Sequence, residues 1–93
     1  MSIIVDFTAL LFQRDCHIIS YCPELHVGSF GDSIDDALSS LREAVECFLE
    51  GCKELGTLDE VLEEAGYAVT QALQPKWKRP PLIHSGDMEV VVA

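Results

Sequence analysis

Apolar residues follow a two-residue period along about the first third of the chain, and this period predicts β-strands. Residues 3–13 are apolar at most positions of both alternating sets, a pattern typical of a strand covered on both faces. His17–Tyr21 is predicted to form a second strand, antiparallel because the intervening link is short. Pro23 interrupts the pattern and predicts a bend or a sheet edge, after which Val27–Phe30 forms a short third strand.

From residue 34 the apolar period lengthens to three or four residues, which predicts an amphipathic helix of about six turns. Its apolar positions are Ile34, Ala37, Leu38, Leu41, Ala44, Val45, Phe48, Leu49, Cys52 and Leu55. Ser33 is a favourable N-cap, and Gly56 suits the left-handed conformation that often follows a helix. The long helix is therefore predicted to begin at residue 34 and to end at residue 55.

A second, shorter helix is predicted from Leu58 to Ala65. Thr57 and Glu60 have the spacing of a capping box at its start, and Gly66 is a stop signal at its end. The two helices are thus expected to follow one another with little chain between them.

The last part of the chain is rich in proline and is predicted to be a loop over residues 67–86, anchored by Trp77. Within it, a continuation of the second helix over residues 68–73 is an open alternative. Residues 87–93 are predicted to form a final strand, centred on Met88–Val92.

This element order predicts an α/β (α+β) fold: a three-stranded antiparallel meander, a long helix, a short helix and one further strand. A long helix between strands allows a parallel crossover, so the further strand is expected to join the sheet in parallel. The length of 93 residues fits a single domain spanning 1–93.

Composition is that of a soluble globular chain, with 48% hydrophobic and 24% charged residues. No stretch approaches the ~20 apolar residues of a membrane helix. The start of the chain lacks the basic flank and the cleavage site of an export signal. We therefore expect a cytoplasmic protein that does not bind membranes.

Sixteen acidic and six basic residues give a net charge of −10, and most of the excess lies between residues 32 and 64. Such a surface repels phosphate backbones and attracts a basic partner, so no direct nucleic-acid binding is expected. One stripe of the long helix is the best candidate for a partner-binding site; it comprises Glu43, Glu46, Glu50 and Glu54. The alternative is that these acids serve solubility alone.

Other chemistry has weaker support in the sequence. Asp6 lies on the first strand without a second strand carboxylate beside it, so it does not predict a two-metal site. No two cysteines have the C-x-x-C spacing of a zinc site, and all four are interpreted as reduced thiols that behave as small apolar residues. The run Lys76-Trp77-Lys78-Arg79 suggests nucleic-acid stacking, but a loop anchor is the favoured interpretation of Trp77. We predict no catalytic residue, no metal and no cofactor.

Residues 21–38 resemble the signature of HicB-type antitoxins. In that family an aromatic strand leads to a Pro-acidic-Leu turn, a short strand, Gly-Asp-Ser/Thr and an acidic helix start. The matching segments here are Pro23-Glu24-Leu25, Gly31-Asp32-Ser33 and Asp35-Asp36-Ala37-Leu38. The likeness covers residues 1–66 well and the final strand loosely.

Four motif residues are interpreted as determinants of the fold. Pro23 stiffens the chain as it leaves the second strand, and Gly31 is predicted to supply a turn conformation forbidden to most residues. Asp32 follows that glycine, and Ser33 then caps the helix.

The resemblance implies a partial RNase H-like module. It also implies an antitoxin that neutralises a small basic HicA-type ribonuclease, which cuts mRNA, by covering its active site. Family members often add a DNA-binding domain at the C-terminal end, and the residues after Gly66 do not look like one.

Exposed strand edges need covering, so a homo-oligomer, either a dimer or a tetramer, is expected. The alternatives are an orphan oligomeric module with no toxin and an enzyme of unknown chemistry.

Overall fold

The chain forms two small sheets and two helices within the residues that this computed structural model describes, 3–70 and 73–93. The elements are β1 (Ile4–Val5), β2 (Leu10–Arg14), β3 (His17–Cys22), β4 (Val27–Gly31), α1 (Ile34–Leu55), α2 (Leu58–Glu64), β5 (Ala68–Thr70) and β6 (Lys76–Lys78). The fold is mixed α/β, as predicted, with an antiparallel meander, a long helix, a short helix and a further strand.

The meander has the strand order β2-β3-β4, and each strand is antiparallel to the next. Phe12 pairs with Ile19, which pairs with Phe30, so paired side chains lie on the same face. One face packs against α1, where Ser20 and Cys22 are fully buried. The opposite face carries Phe12, Ile19 and Phe30 and is partly exposed.

The prediction of one continuous strand over residues 3–13 is wrong, because this segment contributes to both sheets. Its first part is β1, and its second part is β2. Between them the backbone N–H of Thr8 donates to the carboxylate of Glu24 (2.9 Å). The segment therefore passes from one sheet to the other at a side-chain hydrogen bond. The alternation of apolar residues does not predict this hydrogen bond.

The second sheet has the order β1-β6-β5, with β6 parallel to β1 and antiparallel to β5. Its central strand is Lys76–Lys78, inside the segment predicted as a loop, because Trp77 is buried in the core. Ala68–Thr70 is a strand, so the helical alternative for residues 68–73 is wrong over these positions, and residues 71–72 lie outside the described range. The parallel strand predicted at Met88–Val92 is also wrong there, since residues 79–93 contain no strand.

The core lies between the meander, the second sheet and the two helices. Helix α1 contributes Leu41 and Val45, both at most 2% exposed, and α2 contributes Leu62. Each side chain of this size stabilises the fold by about 1.5–3 kcal/mol when fully buried.

The helix ends follow the predictions in three of four cases, and one of these is Gly66, which follows the end of α2 and is left-handed with φ of 89°. Ser33 caps α1, since its hydroxyl oxygen accepts from the Asp36 N–H at 3.1 Å, and Gly56 is left-handed with φ of 76°. The predicted capping box at α2 is wrong, because the Thr57 side chain makes no cap bond and donates instead to the Cys52 carbonyl. The close succession of the helices explains this: Thr57 still lies over the last turn of α1.

Gly31 is required for space rather than for its backbone angles, which corrects the prediction. Among the glycines that the structure describes, Gly56 and Gly66 have a positive φ, whereas Gly31 does not. A Cβ at this position would lie 2.5 Å from the Ala37 nitrogen and 2.7 Å from the Asp36 carbonyl carbon. The glycine therefore lets the end of β4 lie directly against the first turn of α1.

Candidate functional site

The predicted acidic stripe is present on the solvent side of α1. Glu43, Glu46, Glu50 and Glu54 are all exposed. Within residues 3–70 and 73–93, the one ion pair joins His17 Nδ1 and Asp32 Oδ1 at 3.2 Å. The four carboxylates thus have no ion-pair partner in the part of the chain that the structure describes.

A groove of about 610 Å³ runs between β1 and α1, beside the stripe. Its apolar lining is Ile3, Val5, Phe7, Val45, Leu49 and Leu58. Its charged lining comprises Arg42, Glu46, Glu50 and Lys53. A groove with an apolar floor and charged walls is suited to an extended or helical segment of a partner.

The structure divides the predicted stripe into two pairs. Glu46 and Glu50 line the groove, whereas Glu43 and Glu54 do not. The helical period alone predicts the stripe, but the groove depends on β1, whose position is set by its pairing with β6. Sequence reasoning therefore missed the groove and its apolar floor.

Glu24, from the Pro-acidic-Leu turn, joins that turn to the link between the two sheets. Its carboxylate accepts from the Thr8 N–H (2.9 Å), the Thr8 hydroxyl (2.6 Å) and the Cys22 thiol (3.5 Å). Burial raises the pKa of Glu24, but the hydrogen bonds from Thr8 outweigh it, so this pKa lies below its usual value. Burial raises the pKa of the Cys22 thiol to about 11; a hydrogen bond with the Leu25 backbone opposes this rise, and the charge on Glu24 adds to it.

Asp6 has a similar structural role, at the junction with the segment after α2. Its side chain accepts from the Arg79 N–H, and its backbone carbonyl accepts from the Tyr67 hydroxyl, both at 2.7 Å. Burial and then the nearby carboxylate of Glu24 raise the pKa of Tyr67. The half-buried Asp6 therefore joins two chain segments through these hydrogen bonds.

The other motif residues lie around the meander. Pro23 opens the turn between β3 and β4, and the exposed Asp32 carboxylate pairs with His17. Asp32 and Ser33 lie at the entry into α1, whereas Pro23 lies at the other end of β4; none of the three lines the groove beside the acidic stripe.

The residues considered for metal or nucleic-acid binding do not form such a site in the part of the chain that the structure describes. Among the described residues, no three His, Cys, Asp or Glu side chains lie close enough together to hold a metal ion. Cys22 and Cys52 are buried like small apolar residues, whereas Cys16 and Cys47 are exposed, so that interpretation applies to only two of the four. Trp77 is buried and is not available to stack on a base.

Comparison with known proteins adds no relative: a scan against protein-family models, a search of curated proteins and a search of solved structures each find no match. Neither helix in the described ranges has the length and apolar character needed to cross a membrane.

Proposed function

We propose that this protein is an antitoxin-like binding protein that neutralises a small basic HicA-type ribonuclease by covering its active site. The observation that carries the proposal is the exposed acidic stripe, free of ion pairs among the described residues, beside an apolar groove. The likeness of residues 21–38 to the HicB signature supports the same partner class.

The stripe and the groove have different roles in this proposal. The net charge of −10 attracts a cationic ribonuclease and speeds the encounter. The apolar floor then supplies affinity, since desolvated apolar anchors dominate binding energy. Glu46 and Glu50 lie where both effects meet, on the wall of the groove.

The test compares two charge-reversal variants that alter the net charge equally. One is Glu46→Lys with Glu50→Lys, inside the groove wall; the other is Glu43→Lys with Glu54→Lys, outside it. Any small basic protein encoded beside this gene is purified with each variant, and affinity and RNA cleavage are measured at several salt concentrations.

We expect the groove-wall pair to weaken binding at least tenfold and to restore RNA cleavage. The outer pair should mainly slow association at low salt, because rim charges act on the encounter. Equal effects of both pairs would reduce the stripe to a general charge effect. Failure of any basic ribonuclease to copurify with the wild-type protein would overturn the proposal.

A homo-oligomeric module without a toxin is the second candidate. It is favoured by the exposed apolar side of the meander, where Phe12 and Phe30 are 55% and 64% exposed. This candidate predicts a stable assembly of the protein alone and no bound ribonuclease.

A further inference from the structure

The face of the meander that points away from α1 is apolar and uncovered. In its middle row Phe12, Ile19 and Phe30 pair across the three strands, and Leu10 and Tyr21 extend this patch. Exposed aromatic residues in a contiguous row are typical of a contact surface rather than of a solvated face. Strand β2 lies at one edge of this sheet, since the strand order is β2-β3-β4.

The same face differs in charge from the rest of the molecule. At its end Arg14 pairs with His17, and its strand residues include no acid in a chain with sixteen. Two acids lie beside it: Asp15 in the adjoining turn, and Asp32, which pairs with His17. Two copies that each carry −10 can approach here without placing one set of glutamates against another.

Residues 82–93, which we call the arm, project from the body of the protein. They contain neither helix nor strand, and Met88, Val90, Val91 and Val92 are 85–95% exposed. The radius of gyration of 15.4 Å exceeds the value of about 12 Å expected for a compact chain of this length. The arm nevertheless has the β-branched composition of a strand.

We propose that in a homodimer the arm of each copy lies as an added strand along β2 of the other copy. The edge of β2 has unpaired backbone groups, and the arm has a strand sequence that pairs with nothing else among the described residues. The arm carries Asp87 and Glu89 and no Lys or Arg, which complements Arg14 on β2 of the acceptor copy.

The reach of the arm is sufficient for this exchange. Twelve extended residues span about 40 Å at ~3.3 Å each, comparable with the 48 Å longest extent of the molecule. Because the exchange is reciprocal, one dimer contains two arms, and each arm pairs with the β2 edge of the other copy. The inference is independent of any toxin.

The first measurement is sedimentation velocity of the full chain without a toxin. We expect a dimer, and we expect Val90→Asp in the arm or Phe12→Ser on β2 of the acceptor copy to raise its dissociation constant at least tenfold. Leu55→Asp is the matched control, since Leu55 is 80% exposed at the end of α1, outside the proposed contact, and this variant should remain dimeric. Circular dichroism checks that each variant is folded.

The second measurement locates the arm with a short bis-maleimide reagent. Met88→Cys or Val92→Cys is mixed as isotopically heavy and light copies, and links to the native exposed Cys16, in the turn after β2, are identified by mass spectrometry. One end of the added strand must lie nearer this turn, so one variant should give heavy–light links to Cys16 and the other far fewer. Exposed Cys47, on α1 and so across the sheet from this face, is the internal control.

Four outcomes would overturn the proposal. A monomer at all concentrations would exclude the exchange, and links within one copy only would show that the arm folds back on its own body. Links to Cys47 as frequent as links to Cys16 would indicate random collision. A dimer that survives both Val90→Asp and Phe12→Ser would place the interface elsewhere. None of these results bears on ribonuclease binding, which is measured separately.

Discussion

Residues 21–38 and the solvent side of α1 differ in what their polar and small residues contact. In the first region Glu24 holds Thr8, Gly31 makes room for the start of α1, and Ser33 caps that helix. In the second region, Glu46 and Glu50 face a groove and have no ion-pair partner among the described residues. The comparison teaches that a motif can specify a fold while a neighbouring surface of the same helix remains free to bind.

The sharpest test of this contrast compares two glycines of the same part of the fold. Gly31→Ala is expected to lower the free energy of unfolding by about 3 kcal/mol, the upper range for overpacking, because the added Cβ meets backbone atoms that cannot rotate away. Gly51→Ala, inside α1 with nothing within 4 Å of the added Cβ, is expected to raise it by about 1 kcal/mol. Urea denaturation of both variants measures the difference.

The sign of each change matters as much as its size. If Gly31→Ala leaves the free energy of unfolding unchanged, the junction between β4 and α1 can widen without loss of stability. A destabilising Gly51→Ala would mean that the solvent side of α1 is constrained after all. Either result would remove the contrast between the two regions.

Glu24→Ala should be the next largest effect. It leaves the N–H and hydroxyl of Thr8 without their acceptor in a part-buried site, which costs about 2 kcal/mol. A double-mutant cycle with Thr8→Ala, again by urea denaturation, isolates the interaction. Additive losses would show that the two residues act separately and that the turn is held by other contacts.

The pH dependence of stability follows from the lowered pKa of Glu24. A carboxylate whose pKa is lower in the folded state stabilises the fold above its unfolded pKa, near 4.5, and this contribution disappears as the pH falls through the folded value. The stability difference between the wild type and Glu24→Gln should therefore be constant from pH 7 to about pH 5 and then shrink. Urea midpoints of both proteins between pH 7 and pH 3 measure it; a difference that grows on acidification would contradict the assignment.

The elements that sequence reasoning predicted are those with local causes. The period of α1, the cap at Ser33 and the left-handed Gly56 depend on residues within a turn or two of each other. The meander follows from short links between strands. Hydrophobic period and capping chemistry are sufficient for these, because the interactions that select them lie within the same segment.

The elements that it missed depend on contacts between distant parts of the chain. Strand β6 forms because Trp77 enters the core beside β1, and Asp6 then accepts the N–H of Arg79, 73 residues away. Met88–Val92 has a better strand sequence but pairs with no strand in the described chain. The groove was missed for the same reason, since one of its walls is β1.

The smallest effect is expected for the acidic stripe itself. Replacing Glu43, Glu46, Glu50 and Glu54 together by Gln removes like-charge repulsion at spacings of three and four, worth a few tenths of a kcal/mol per pair. It also removes the weak attraction of Arg42 and Lys53 on the same helix, so the net change in the free energy of unfolding should stay within about 0.5 kcal/mol. Thermal and urea unfolding at low and high salt measure it. A loss above about 1 kcal/mol would mean that the stripe holds the fold, and its exposure would then no longer favour a binding role.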